Sequence, residues 1–302
     1  MSDTTHEPAP PPTSVWQSFA DRYGDSLQAL ARALTGGTQK PPRFLKSLLS
    51  GTFGGHPLHP AITDLPIGAW TLTAILDIVW LVAPVNNSWA ARGAFVGVIV
   101  GLIAALGALI TGLADWSDTY GAERTVGFYH GLLNTAAFLL YLVSFILRLF
   151  SPANESIAAA VLGFIGFVAI LIAGYLGGDM VFARGTNVNH TAWEAAGEDF
   201  EPVLPASDVD EGRLYRVTVA GVPVVLLRRG EQYYAISATC SHAGGPLDEG
   251  SLDGDVVECP WHGSRFCLRD GRVLTGPATV AAPRYAVRVR NGHVELRRLG
   301  GH

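Results

Sequence analysis

Cys240-Ser241-His242-Ala243-Gly244-Gly245-Pro246-Leu247 and Cys259-Pro260-Trp261-His262-Gly263-Ser264-Arg265-Phe266 decide how this chain is read. Sixteen residues separate His242 from Cys259. Each box offers one thiolate and one imidazole, and two sulfur plus two nitrogen donors suit two kinds of site. Two Cys and two His can hold one zinc ion tetrahedrally. A [2Fe–2S] cluster takes two ligands per iron, and imidazoles can replace the thiolates on one iron. Neutral imidazoles leave such a cluster less negative, so it accepts an electron more easily. Its potential then lies at about −150 to +300 mV, against about −400 mV for plant-type ferredoxins.

Around the boxes the pattern is short alternating runs broken by turns: LYRVTVAG (214–221), VPVVLLRR (222–229), QYYAIS (232–237) and YAVRVR (285–290). The last meets VEL (294–296) across Asn291-Gly292, a strong hairpin signal. This reads as a small all-β domain that begins near Glu201, after a polar linker.

Upstream the composition changes. Over the 302 residues 49% are hydrophobic and only 16% charged, against roughly 25% charged in an ordinary soluble domain. Mean hydropathy is +0.27. Four apolar stretches near 61–83, 93–114, 127–149 and 157–178 are each long enough to cross a hydrocarbon core of about 30 Å. The second carries Gly93, Gly97, Gly101 and Ala105 on one face, and the fourth carries Gly166, Ala169, Ala173 and Gly177. Small residues every fourth position let helix backbones approach closely in lipid, so a bundle is expected. The fold class is therefore mixed: a four-transmembrane-helix bundle (50–185) followed by the all-β domain (201–299).

Before the bundle, residues 1–14 are proline-rich and polar and are expected to be disordered. Trp16, Phe19, Tyr23, Leu27, Leu30 and Leu34 recur at spacings of three and four. They predict an amphipathic helix over 15–37, either packed on the protein or lying on the bilayer surface. The first thirty residues lack the apolar core of a signal peptide. Three cysteines cannot build a disulfide framework, and their usage suits a reducing compartment. A formal charge of −5 gives no reason to expect nucleic acid as a partner.

Four crossings put both termini, the second loop and the β domain on one side. Lys40, Arg43, Lys46, Arg124 and Arg184 flank the helices there, against Arg92 and Arg148 opposite. That asymmetry predicts a multi-pass protein of the cell inner (plasma) membrane with both termini and the β domain in the cytoplasm.

The two boxes closely resemble the Rieske family over roughly residues 201–299. Gly276-Pro277-Ala278 looks like that family's proline loop, which covers the cluster from a third side. The glycines, Pro246-Leu247, Ser264 and the loop around Pro277 favour a cluster over zinc. The resemblance implies that Cys240 and Cys259 bind a buried iron and that His242 and His262 bind an exposed one. It also implies that Ser264 donates a hydrogen bond to a bridging sulfide. Respiratory Rieske proteins carry an extra disulfide and a tyrosine donor, where this chain has Gly245, Trp261 and Phe266. The overall look is ferredoxin-like, and Cys267 reads as a small buried residue.

Gly55-His56-Pro57-Leu58-His59-Pro60, Thr111-Gly112-Leu113-Ala114-Asp115-Trp116 and His130-Gly131-Leu132-Leu133-Asn134 resemble motifs of a bacterial membrane family catalogued as domain of unknown function 2231. Crossing parity gathers His56, His59, His130, Asp115, Asp118 and Asp179 at the membrane face below the β domain. His56 or His59 with His130 is thus a candidate second site for haem, another metal or quinone. The alternative is interfacial polar residues solvated by headgroups. Asp77, deeper in the first helix, is expected either to handle protons or to snorkel.

Together these readings predict a membrane-anchored one-electron carrier with a [2Fe–2S] cluster, partnered by the lipid bilayer and a redox protein (a reductase, an oxygenase or a respiratory component). A quinone- or haem-coupled oxidoreductase subunit is the first alternative, and a redox or iron sensor the second. An oxygenase would need a further mononuclear iron domain after the β domain, and the chain ends at His302.

Overall fold

The computed structural model describes residues 15–37, 43–82, 87–195, 197 and 199–300. The expected disordered segment 1–14 lies outside them, as do Lys40 and Ala83, and so do the side chains of Trp16 and Phe19.

Among the described residues four helices are long and apolar enough to cross a membrane: α3 (Leu58–Val82), α4 (Ser88–Trp116), α5 (Gly121–Leu149) and α6 (Ile157–Gly178), the last continuing into a wider turn over Asp179–Ala183. α4 and α5 begin several residues before their apolar runs, since Ser88–Arg92 and Gly121–Val126 add polar turns at the membrane boundary. α3 pairs with α4 and α5 with α6. The two hairpins join through α4–α5 and α3–α6 contacts, so α3 and α5 are parallel and stand diagonally across the bundle. Most of the outward side chains are large and apolar, among them Leu72, Ile75, Ile103, Ile165 and Val168. They have lipid as their solvent, and close packing by small residues holds the inside. At Gly101 an added Cβ would stand 2.1 Å from Trp70 Nε1, and at Gly166 it would stand 2.9 Å from Tyr141 Cε2.

Arg148 corrects the flanking-charge count. Its guanidinium is buried inside the bundle and bonds Asp77 at 2.6 Å, with both side chains out of solvent. Asp77 is therefore an ion-pair partner, and Arg148 does not mark the outer boundary.

α1 (Val15–Leu34) lies across the end of the bundle below the β domain. It docks through its polar and small residues. Gln28 Nε2 donates to the Trp116 and Thr119 carbonyls at 2.9 and 2.8 Å, Arg32 Nε donates to the Ser117 carbonyl at 2.8 Å, and Arg124 pairs with Asp21 and Asp25. Tyr23, Leu27, Leu30 and Leu34 are left exposed along the other face. A short helix, α2 (Phe44–Ser50), follows and carries the buried Lys46.

The β domain has ten strands in two antiparallel sheets. The larger runs β1 (Glu201–Pro205), β10 (His293–Arg298), β9 (Arg284–Arg290), β4 (Gln232–Ser237), β3 (Val222–Arg229) and β2 (Leu214–Val219). The smaller runs β5 (Ser251–Asp253), β6 (Val256–Glu258), β7 (Arg265–Cys267) and β8 (Val273–Thr275). Asn291-Gly292 turns β9 into β10, both residues having positive φ as this turn demands. Val225, Leu227, Ile236, Leu247, Val257, Phe266 and Leu268 form the core beneath the two boxes.

Candidate metal centre

The first box follows β4 and the second bridges β6 and β7, and both are built the same way. Cys240 N–H donates to the Gly245 carbonyl at 2.8 Å, and Gly244 N–H returns to the Cys240 carbonyl at 2.9 Å. Cys259 N–H donates to the Ser264 carbonyl at 2.8 Å, and Gly263 N–H returns to the Cys259 carbonyl at 3.0 Å. The glycine four residues after each cysteine takes a left-handed backbone, φ 78° at Gly244 and 72° at Gly263. A side chain would strain that turn. Two such loops face one another and place their donors as two pairs.

One pair is sulfur. Cys240 and Cys259 are both buried and hydrogen-bonded to each other. The bond from Cys240 pulls the Cys259 thiol down to about 7, helped by the Trp261 and His262 amides. The same bond, then burial, pushes Cys240 up. Gly245 admits this approach, because a Cβ there would stand 2.9 Å from Cys259 Sγ. The other pair is imidazole. The rings of His242 and His262 stand 4.9 Å apart at 84°. Burial, with His262 second, lowers His242 to about 3, and burial lowers His262 as well. Both rings are neutral at pH 7, the state a metal requires. His242 Nδ1 is buried without a hydrogen-bond partner, and a metal bond would satisfy it.

Among the described residues no three His, Cys, Asp or Glu side chains enclose a common point. Two separate pairs fit two irons better than one tetrahedral zinc. Ser264 is buried, and its Oγ accepts from Ala278 N–H at 2.9 Å, which leaves the hydroxyl proton free to donate toward a cluster sulfide. Pro277 is buried in its loop, and Cys267 is buried in β7.

The surroundings differ from the expected exposed histidine edge. Every loop that covers the donors is docked on the membrane half. Arg43 Nη1 donates to the His262 carbonyl at 2.9 Å, and the His262 ring bonds the Asp118 backbone. The Gly276 amide donates to Ser47 Oγ at 3.1 Å, Thr52 Oγ1 donates to the Ala278 carbonyl at 2.9 Å, and His190 N–H donates to the Ser241 carbonyl at 3.2 Å. Below the rings Lys46 pairs with Asp118 at 2.6 Å, and Asn187 donates to Asp115 at 2.7 Å. A cavity of about 170 Å³ remains, lined by His242, His262, His190, Tyr120, Asp115 and Asp118. Sequence patterns do not encode this docking, because its partners are single polar side chains and backbone amides drawn from separate segments.

Of the candidate second-site residues, the structure brings His59 and His130 together, with ring centroids 6.3 Å apart. His56 stands apart and exposed, its Nδ1 3.0 Å from the Pro57 carbonyl.

The fold and the paired donors define a class: a membrane-anchored iron–sulfur protein whose β domain carries a [2Fe–2S] cluster, with two cysteines and two histidines placed where they would hold it. Comparison with known proteins agrees. Residues 199–286 match the Rieske [2Fe-2S] domain, and residues 55–190 match a predicted membrane protein family, DUF2231. The chain is 42% identical over 93 residues to ferredoxin CarAc of Metapseudomonas resinovorans, covering 87% of that protein and 30% of this chain. It is 40% identical over 91 residues to the 3-phenylpropionate/cinnamic acid dioxygenase ferredoxin subunit of Escherichia coli K12, covering 85% of that protein and 30% of this chain. Among solved structures, the ferredoxin of carbazole 1,9a-dioxygenase from Nocardioides aromaticivorans IC177 is similar, at 29% identity and a TM-score of 0.32, covering 98% of that chain and 33% of this one. This chain belongs to the Rieske [2Fe–2S] family, its ferredoxin-like domain joined to a DUF2231 membrane domain. It transfers single electrons from a membrane anchor.

Proposed function

We propose that the cluster exchanges its electron with the membrane domain it rests on, and that both termini and the Rieske domain face the cytoplasm. The bond from the His262 ring to the Asp118 backbone carries this reading. The histidine edge is where an electron leaves or enters a mixed-ligand cluster, and here that edge meets the end of α4. Cytoplasmic orientation is supported by Arg43, Lys46, Arg124 and Arg184 on the Rieske side, with Arg148 withdrawn into the bundle and Arg92 opposite. An alkaline-phosphatase fusion at the C-terminus is expected to be inactive, and an active one inverts the orientation.

A second reading has support in the relative from Escherichia coli K12, which is the ferredoxin subunit of a dioxygenase. In it the Rieske head leaves the bundle and delivers its electron to a soluble partner. Locking the head distinguishes the two. A disulfide between Thr52→Cys and Thr279→Cys is expected to leave exchange with the membrane quinone pool at its unlocked rate, measured by the cluster's EPR signal. A lock that stops oxidation of the cluster by an added soluble acceptor protein, restored by opening the disulfide, favours the mobile head.

A further inference from the structure

Three layers of side chains meet on the axis of the bundle, each made by one residue of α3 and one of α5. Nearest the Rieske domain are His59 and His130, with ring centroids 6.3 Å apart at 90°. Next come Trp70 and Tyr141, stacked at 4.1 Å, and then Asp77 and Arg148, paired at 2.6 Å. Each α5 residue lies 71 positions after its α3 counterpart. The even helices repeat as well, at a spacing of 65. His59 Nδ1 bonds the Ala108 carbonyl of α4 at 2.9 Å, and His130 Nδ1 bonds the Ala173 carbonyl of α6 at 2.8 Å. Four residues further on, Gly112 and Gly177 receive the two rings, where an added Cβ would stand 2.7 and 3.1 Å from a ring carbon. Thr73 donates to the Ala94 carbonyl at 3.4 Å, and Ser144 donates to the Ala159 carbonyl at 2.8 Å. The α3–α4 and α5–α6 hairpins are thus two copies of one unit, related by a two-fold axis along the membrane normal. In membrane proteins built from such repeats, ligands bind at the repeat interface.

We propose that His59 and His130 are the two axial ligands of one haem held on this axis beneath the Rieske cluster, a site that deepens the reading of electron exchange with the membrane domain and rests on it. A backbone carbonyl only accepts, so each Nδ1 carries the ring proton and each Nε2 keeps its lone pair. This is the tautomer of a metal ligand. His130 Nε2 now lies 3.2 Å from the Asn134 amide nitrogen, a contact that ligation would replace. Two metal–nitrogen bonds of about 2 Å plus the two ring radii separate imidazole centroids by about 6 Å, which matches the pair. A bare ion needs three or four protein ligands. Among the described residues no group of three His, Cys, Asp or Glu supplies them. A haem iron, its equatorial positions filled by the macrocycle, needs only two. A quinone carbonyl needs donors, and neither Nε2 is one. Along α4, Trp116 lies about 6 Å beyond the level of Gly112 at 1.5 Å per residue, and Asp118 follows two residues on, so cluster and haem are close enough to trade one electron for one electron with no atom transferred.

The test uses full-length protein expressed with 5-aminolevulinate and purified in mild detergent. Expected are a Soret band, about one haem per chain by pyridine haemochrome, and a low-spin ferric EPR signal beside the reduced Rieske signal. His59→Ala and His130→Ala should each lose the haem signals and keep the Rieske signal, while His56→Ala keeps both. The Rieske signal serves as the folding control. A Rieske signal with no haem, even after titration with hemin, overturns the proposal, as does a co-purifying quinone or a non-haem metal in its place. Haem that stays at full occupancy and low spin in both alanine variants overturns it too. Wild-type protein with haem but no Rieske signal would instead break the electron-exchange reading.

Discussion

His242 and His262 stand at the tips of two loops, whereas His59 and His130 stand inside two helices. In both places a repeated local structure presents two imidazoles across an approximate two-fold relation. The β domain builds each half from one continuous box, so ligand, glycine and hydrogen bonds lie within six residues. The bundle builds each half from a helix pair. The histidine comes from one helix, and the carbonyl and glycine that fix it come from its neighbour some fifty residues away. A loop site is a local property of sequence, and a helix site is a property of the pairing.

The largest expected effect breaks the loop half. Cys240→Ser or Cys259→Ser should abolish the cluster, read as loss of iron, acid-labile sulfide and EPR signal, while Cys267→Ser leaves all three. In the helical half, Asp77→Ala strands the Arg148 guanidinium out of water. Removing one partner of a buried pair costs about 3–5 kcal/mol, so the detergent-solubilised protein should unfold at markedly lower temperature. Asp77→Leu with Arg148→Leu should recover most of that loss, and failure to recover would assign the pair a further role.

A smaller effect is expected at Ser264. With its hydroxyl directed at the cluster, Ser264 would stabilise the reduced, more negative state, so alanine there is expected to lower the potential. Unchanged voltammetry would show that the hydroxyl points elsewhere. The smallest effect is at Glu194, which joins the two halves. Its carboxyl accepts from Ser237 at 2.6 Å, and burial raises its pKa above the ordinary carboxylate range. A raised acid contributes stability below the unfolded pKa of about 4.3, and that contribution is lost as pH rises through the folded value. Glu194→Gln should therefore gain stability relative to wild type at neutral pH and match it at acid pH, checked by thermal denaturation at the two pH values.

Legibility followed the same division. The two Cys–His boxes, the loop around Pro277 and the Asn291-Gly292 hairpin are short-range features, and the sequence displays them. The spans are legible because lipid imposes composition, although α4 and α5 run past their apolar cores wherever helix-compatible polar residues flank them. The direction of the histidine edge was not legible, since it depends on Ser47, Thr52 and Arg43 meeting loops more than two hundred residues later. Arg148 reads as a flank in one dimension and becomes a core residue once Asp77 faces it. The internal repeat escaped because several of its matching positions hold different residues, Trp with Tyr, Thr with Ser, Asp with Arg, and because its two spacings differ by six. The small-residue faces of α4 and α6 were its visible trace.

The Asp77–Arg148 contact breaks the likeness of the two hairpins at the layer where they meet. Two separate copies of one hairpin, assembled about their two-fold axis, would bring two identical side chains to that point: a pair of carboxylates or a pair of guanidiniums, each repelling its twin in a medium of low polarity. Opposite charges can meet on such an axis only where the two halves differ in sequence. The salt bridge is in that sense a bond that two identical halves could not make.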